Sequence, residues 1–438
     1  MAYRKLGKSE GRLPATPPDW GQEMKALTVE AKLRKFALAK VLSMTPSSSS
    51  VKYGPLSLAD IDPKRPPNGD WISAKPRLSG ICGSDIATVL GSSSRYFEPL
   101  TSFPFVPGHE VVADVTLNDG PVSRVVLEPA LTCAARGLTP CRMCRVGETN
   151  RCESILLGEI KKGIQTGYCS STGGGWSQEF LAHKSQIHTI PESMSDKDAV
   201  MVEPFACALH SALRIDLSRA NRVAVLGSGT IGLLTTAALR SLSADIEITA
   251  VAKYSTQKAA AKSLGADQVI EPSVFNRASR RSSSSMRAGS WQSHGFDATF
   301  DCVGKSESIS QSISATAPGG KVVLAGMPSI SRVDLAPLWH REIELVGSYA
   351  YGSEPASEAL LDLLSRSLVA VDDSGRFRTF DLAIALSEQL SLGSLVTHTF
   401  SLDNYEEAIN LAAQAGARGA IKVAFDPRKK RAREQENR

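Results

Sequence analysis

At 438 residues the chain is too long for one ordinary hydrophobic core, so two domains are expected. A hydrophobic content of 42% with 22% charged residues is that of a soluble globular protein, and no apolar run approaches the roughly 20 residues a membrane-spanning helix needs. The formal charge of +5 is concentrated at one end: Pro427 to Arg438 carries +4, which argues against the spread basic face of a nucleic-acid binder.

In chain order, residues 1–23 lack the apolar block of a secretory signal. Arg4, Lys5, Lys8 and Arg12 against Glu10 leave a weak mitochondrial presequence as an alternative to a loose extension. The phrase MKALTVEAKLRKFALAKV, from Met24, reads as the start of a folded domain. From Met24 to Pro191 short β-like runs (ALTVEA, WISAKPRL, FVPGHEVVADV, SRVVLEP, SQEFLAH) alternate with Gly and Pro, favouring an irregular, mostly β domain. After Glu203 the text changes to apolar strands at 223–227, 246–252, 268–271, 297–303, 321–326 and 343–348. Helical stretches at 231–242 and 256–266 lie between the first of them, the alternation of a doubly wound parallel sheet. The last ninety residues return to mixed text and end in a strand, AIKVAF. The expected organisation is a mostly β domain over 24–204 and 350–426, an inserted α/β domain over 205–349, and a solvated basic tail over 427–438. Two Ser-rich patches, Ser47 to Ser50 and Arg277 to Ser293, read as surface loops.

Within VAVLGSGTIGLL, Gly227, Gly229 and Gly232 form G-x-G-x-x-G after an apolar strand and at the start of an apolar helix. That is the context a dinucleotide fingerprint requires, and it outweighs a glycine turn with no ligand. Gly227 would allow the tight turn, Gly229 the approach of a pyrophosphate and Gly232 close helix–sheet packing. Thr230 and Ile231 open the helix whose N-terminus would face the phosphates. At the end of the second strand the carboxylate that would bind the ribose of NAD is missing: Ala252 falls there, followed by Lys253 and Tyr254. Lys253 suits a 2′-phosphate, so the reading leans to NADP over NAD.

Four of the eight cysteines, Cys133, Cys141, Cys144 and Cys152, crowd into twenty residues as C-x7-C-x2-C-x7-C. Without an export signal such crowding suggests a metal and the reducing cytoplasm rather than disulfides. Four thiolates close a structural zinc shell, and Arg136, Arg142, Arg145 and Arg151 nearby would favour them over scattered thiols. A looser group comprises Cys82, Ser84 and Asp85 in GICGSD, His109 and Glu110 in PFVPGHE, and Glu203 in VEPFACALH. Spacing alone does not join these residues; Cys82 also reads as a core thiol and His109 as a satisfied turn histidine.

GICGSD, GHE, the cysteine cluster, VEP and GSGTIG, in that order, resemble the zinc-containing medium-chain dehydrogenases over roughly Met24 to Phe425. The segment VEPFACALHSALR is more similar to the polyol and threonine branch than to liver alcohol dehydrogenases. The resemblance implies an α/β chain with a GroES-like catalytic domain, a Rossmann domain, and a catalytic zinc in the cleft between them. It implies Cys82 and His109 as zinc ligands, with Glu110 and Glu203 as ligands or neighbours that hold water. Asp85 would orient His109, Ser84 would receive the substrate proton, and Val303, Gly304 and Gly326 would line the nicotinamide. The implied activity is hydride transfer between a nicotinamide cofactor and an alcohol, polyol or matching carbonyl compound, in a homodimer or homotetramer. A zinc-free enone or quinone reductase would lack this ligand set, and a non-catalytic relative would be expected to have lost it. A Cys/His/Glu shell is harder than one with two thiolates and should make zinc the stronger Lewis acid. Two departures stand out. The usual first structural cysteine falls at Leu138, so Cys133 must reach in from five residues earlier; the usual proton-relaying histidine falls at Ala87. Ser94, Arg95, Tyr96 and Phe97 precede GHE in a loop that could shape the pocket, with Arg95 either meeting an anion or facing solvent.

Overall fold

Trp71–Gly80 shows how the first sheet is specified: Ala74, Pro76 and Leu78 are buried while Lys75 is exposed, the two-residue alternation of a sheet with one covered face. Pro76 cannot donate to the ladder, and the register with Val111–Thr116 shifts between Pro76 and Leu78. The computed structural model describes residues 23–43, 49–117, 120–279, 287–288, 291–292 and 294–429. Nearly all of the N-terminal extension, half of the first Ser-rich patch and most of the second, and most of the basic tail lie outside these residues.

A mixed seven-stranded sheet carries the first part of the chain, in the order Val396–Phe400, Lys422–Phe425, Trp71–Gly80, Val111–Thr116, Val122–Leu127 and Ile187–Thr189, with Phe180–His183 also paired to Trp71–Gly80. Two of its strands come from the end of the sequence; Ala424 pairs antiparallel with Gly80. The chain therefore leaves this sheet, builds a second one and returns. Met24–Val29 pairs separately with Leu56–Ile61, and helix Leu33–Ser43 fills the connection between them.

The second sheet is parallel throughout, in the order Gln268–Ile270, Glu247–Val251, Arg222–Leu226, Phe296–Asp301, Thr316–Leu324 and Glu344–Gly347. Counted along the chain this is 3-2-1-4-5-6, the doubly wound order that reverses between the first and fourth strands and opens a crevice at their carboxyl ends. Helices Thr230–Leu242, Ser255–Ser263 and Ser306–Ala315 supply crossovers. Helix Val202–Ala212 joins the two sheets. Every residue in it except Cys207 is buried, because it lies between Thr230–Leu242 and Thr379–Leu390. Pro204 is tolerated in its first turn, where its missing N–H would have had no helical partner. Among the described residues no helix is long and apolar enough to cross a membrane.

Candidate active site and cysteine lobe

Cys82 is the N-cap of helix Gly83–Val89, and its N–H donates to Asp85 Oδ2 at 3.0 Å. Asp85 Oδ1 lies 3.5 Å from His109 Nδ1 and accepts the Tyr168 hydroxyl at 3.4 Å. One buried carboxylate thus fixes the backbone of Cys82 and the ring of His109, leaving Nε2 as the donor for a metal. Gly108, with φ at +98°, makes the turn that delivers His109. Donor atoms of Cys82, His109 and Glu110 all lie within 4.8 Å of one another, a set that fits a divalent metal. Burial opposes protonation of His109, but the charges of Asp85 and Cys82 outweigh it and raise the imidazole well above its ordinary pKa.

The two glutamates differ. The Glu110 side chain is 2% exposed and ion-paired with Lys422 Nζ, itself 2% exposed, and Lys422 also donates to the Ile81 carbonyl at 3.2 Å. Glu203 does not join the 4.8 Å group. Burial pushes its carboxyl up to about 7, against the pull of His109, while Glu110 pushes the same way and Lys422 pulls down. The Cys207 thiol donates to Glu203 Oε1 at 3.7 Å from one turn along the same helix. Ser84 is half-buried, and its hydroxyl is among the groups that ease ionisation of the Tyr168 hydroxyl, which burial and Asp85 hold well above its ordinary pKa. Thr88 Oγ1 is 3.4 Å from Tyr168 Oη and 3.0 Å from Ser93 Oγ, so hydroxyls run past Ala87, where no histidine stands. Arg95 faces solvent beside Glu98, 3.5 Å away, and Tyr96 is exposed as well.

In the cysteine lobe the four sulfurs also lie within 4.8 Å of one another, with Cys133 and Cys152 3.7 Å apart and no disulfide. Thiolates at about 2.3 Å from a tetrahedral zinc stand roughly 3.8 Å apart, so the lobe fits the ion. Cys133 reaches in because the chain reverses behind it: Leu138 N–H donates to the Cys133 carbonyl at 3.0 Å, with Gly137 at φ +67°. Of the four arginines, Arg142 pairs with Glu153, Arg151 pairs with Glu148, and Arg145 is exposed. Only Arg136 is fully buried. Its guanidinium donates to the carbonyls of Leu131, Leu157, Lys161 and Gly163, and its charge acts on Cys169, Cys152 and Cys133. Burial raises the Cys144 and Cys152 thiols, whereas N–H groups of Cys144 and Glu153 outweigh burial at Cys141 and bring it to about 6.

At the crevice of the parallel sheet, Gly227 has φ +91°, and a Cβ on Gly232 would stand 1.8 Å from the Gly227 carbonyl oxygen. A Cβ on Gly229 would meet nothing within 4 Å, so that face is open to a ligand. Across the crevice Asp301 Oδ1 accepts the N–H groups of Val303 (2.8 Å) and Gly304 (3.0 Å), and Oδ2 accepts the Ser308 hydroxyl (2.9 Å). Gly326 packs against the same turn, its N–H donating to the Asp301 carbonyl at 2.8 Å. Ala252 is buried; Lys253 is exposed, with Nζ 5.4 Å from the Tyr254 ring centroid. Ile231 is half-buried, and Thr230 Oγ1 donates to the Ile421 carbonyl at 3.3 Å, one residue before Lys422. Ile421 and Lys422, where the chain enters strand Lys422–Phe425, therefore link helix Thr230–Leu242 to the Cys82–His109 cluster.

Residues 68–192 match the alcohol dehydrogenase GroES-like domain and residues 230–366 the zinc-binding dehydrogenase domain. The L-idonate 5-dehydrogenase of Vitis vinifera is 28% identical over 367 residues, covering 81% of this chain and 87% of that protein. The sorbitol dehydrogenase of Arabidopsis thaliana is 26% identical over 390 residues, covering 86% and 93%. A zinc-binding dehydrogenase of Sinorhizobium meliloti, solved with NADP, superposes with a TM-score of 0.63 at 21% identity, covering 93% of this chain and all of that one; at that identity the likeness is one of fold.

The chain belongs to the zinc-dependent medium-chain dehydrogenase family.

Several groups of this dehydrogenase's cleft were not singled out from the sequence. Lys422 reads as an ordinary outward residue of AIKVAF, and Asp301 as an acid within an apolar strand. Tyr168 and Tyr351 carry no motif, and Cys207 stands inside VEPFACALH without having been singled out. An acid followed by C-V-G at a strand end was the one available signal, and it pointed to Asp301.

Proposed function

We propose that the enzyme oxidises a polyol secondary alcohol to a ketone, or reduces the ketone, with a nicotinamide dinucleotide and a zinc ion held by Cys82, His109 and a glutamate. The observation that carries this is the Asp85 carboxylate, which holds both Cys82 and His109 in place. A zinc ion bound there would polarise the substrate oxygen and lower the pKa of its hydroxyl. Glu110 is already matched by Lys422, which supports Glu203 as the group nearer the open side of the metal. Ser84 accepts the hydroxyl proton and passes it along Tyr168, Thr88 and Ser93 in place of the missing histidine. Gly227, Gly229, Thr230, Ile231 and Gly232 cradle the pyrophosphate, and Val303, Gly304 and Gly326, held by Asp301, wall the nicotinamide. Cys133, Cys141, Cys144 and Cys152 hold a structural zinc ion.

For the ribose end, Lys253 without a neighbouring carboxylate supports NADP. An assembly of two or four chains is supported by the open edge strand Glu344–Gly347, with Leu345 and Trp339 exposed beside it. The test is zinc content with polyol-dependent reduction of the dinucleotide. Two zinc ions per chain are expected, and Cys82→Ala should keep one, bind dinucleotide normally and lose turnover. Retained turnover in Cys82→Ala would refute the assignment.

A further inference from the structure

Residues 348–353 leave the last parallel strand and carry two tyrosines past the catalytic cluster. Tyr351 is 3% exposed, and its buried hydroxyl, with no hydrogen-bond partner of good geometry, lies in the field of Glu203 and Cys207. Tyr349 is 47% exposed, and Ser348 just before it meets Ser211, which lies one and two turns beyond Cys207 and Glu203 on the same helix. Between the two tyrosines Ala350 adopts φ +50°, a left-handed backbone that an L-residue keeps only where its surroundings enforce it.

The ends of this segment are tied to its own scaffold. Ser348 Oγ meets Ser211 Oγ at 2.8 Å, and the Gly352 carbonyl accepts Thr379 N–H and Oγ1–H at 3.0 and 2.8 Å. Ser348 N–H also donates to the Leu324 carbonyl at 3.0 Å and Arg376 Nη2 to the Ser353 carbonyl, and two further bonds come from the cysteine lobe. Asn150 Nδ2, two residues before Cys152, donates to the Tyr349 carbonyl at 2.9 Å. Ser353 N–H donates to the Gly147 carbonyl at 2.9 Å, just after Cys144. The approach is so close that a Cβ on Gly147 would fall 2.3 Å from Ser353 Oγ.

We propose that the four-cysteine lobe is a clamp on the substrate pocket, with Asn150 as the positioning residue that holds the Tyr349-Ala350-Tyr351 turn and so fixes the pocket wall beside Glu203. The lobe's order reaches the catalytic cluster through this turn. Three cysteines of the shell flank the two contact points, Cys141 and Cys144 before Gly147 and Cys152 after Asn150, so the geometry of the shell and that of the turn are one unit. The kinetic half of the test rests on the polyol reading; amide exchange reads the clamp whatever the substrate is.

The experiment compares the holoenzyme with Asn150→Ala and with Asn150→Ala/Ala350→Gly, by hydrogen exchange, zinc content, dinucleotide binding and steady-state kinetics on a series of polyols. Loss of one hydrogen bond should raise exchange at 348–353 and KM for the polyol about fivefold, with kcat nearly unchanged. Zinc content, dinucleotide affinity and exchange in Arg222–Leu226 should stay as they are. Glycine takes the left-handed backbone without strain, so Ala350→Gly should return most of the lost KM. Unchanged exchange at 348–353 in Asn150→Ala overturns the clamp, as does a KM change that comes with loss of zinc, which would place Asn150 in the metal shell instead.

Discussion

Lys422→Met tests how the catalytic cluster is held. The substitution keeps a straight apolar stem of similar length and removes only the ammonium. Glu110 and Lys422 are each 2% exposed at the side chain, so neither charge can turn to water when the other goes. Glu110 Oε2 has no hydrogen-bond partner besides this ion pair. Removing one member of such a pair costs about 3–5 kcal/mol, most of it the penalty of the charge left behind. The lower half of that range, about 3 kcal/mol, is expected here, since the stranded carboxyl can take up a proton. Glu110→Gln should cost a comparable amount by stranding the ammonium. The double variant Lys422→Met/Glu110→Gln buries no unpaired charge and should cost at least about 2 kcal/mol less than the two single losses together. Urea unfolding of the four proteins in excess zinc, followed by tryptophan fluorescence with zinc per chain measured on each, supplies the cycle. Single losses that add to within about 0.5 kcal/mol would refute the pairing.

Glycine substitutions in the fingerprint should separate folding from binding. Gly229→Ala meets open space and should melt like the parent while binding dinucleotide at least about tenfold more weakly; Gly232→Ala drives a methyl into the Gly227 carbonyl and should destabilise by about 3 kcal/mol or fail to fold. Calorimetric melting and dinucleotide fluorescence titration read both. Lys253→Asp should move the cofactor preference toward NAD by about tenfold or more in kcat/KM, and an unchanged NADP/NAD ratio would remove Lys253 from the ribose site. After zinc is stripped, Cys141 should be the first lobe thiol alkylated at neutral pH. Its pKa of about 6 leaves it a thiolate above that pH and protects it below, while Cys144 and Cys152 are raised and stay protonated; mass mapping across pH 5 to 8 that finds Cys144 first would overturn the assignment.

Arg136 shows why proximity in sequence is a weak guide to charge. Four arginines stand within or beside the cysteine segment, and all four were expected to favour thiolates. Three point to water or to glutamates, where solvent screens them. The fourth is buried on four carbonyls, no carboxylate among the described residues pairs with it, and its charge acts on Cys169, Cys152 and Cys133.

Much of the fold was legible because it is local. Apolar strands alternating with helices announce a parallel sheet; G-x-G-x-x-G announces a turn that needs φ of +91° at Gly227 and a bare Cα at Gly232. Four cysteines within twenty residues announce a metal shell because neighbours in sequence can converge without help. The cluster around Cys82 and His109 is different. Cys82, His109 and Glu203 sit on separate elements, and resemblance rather than spacing joined them. Only the tertiary structure decided that Glu110 is matched by Lys422 from the far end of the chain, that Asp301 pins the Val303–Gly304 turn, and that the cysteine lobe touches Tyr349. Local rules act through backbone dihedrals and side-chain period, which contiguous residues carry. The partner of a buried charge depends on which distant strand closes the sheet, and a strand such as AIKVAF would be equally at home on many edges.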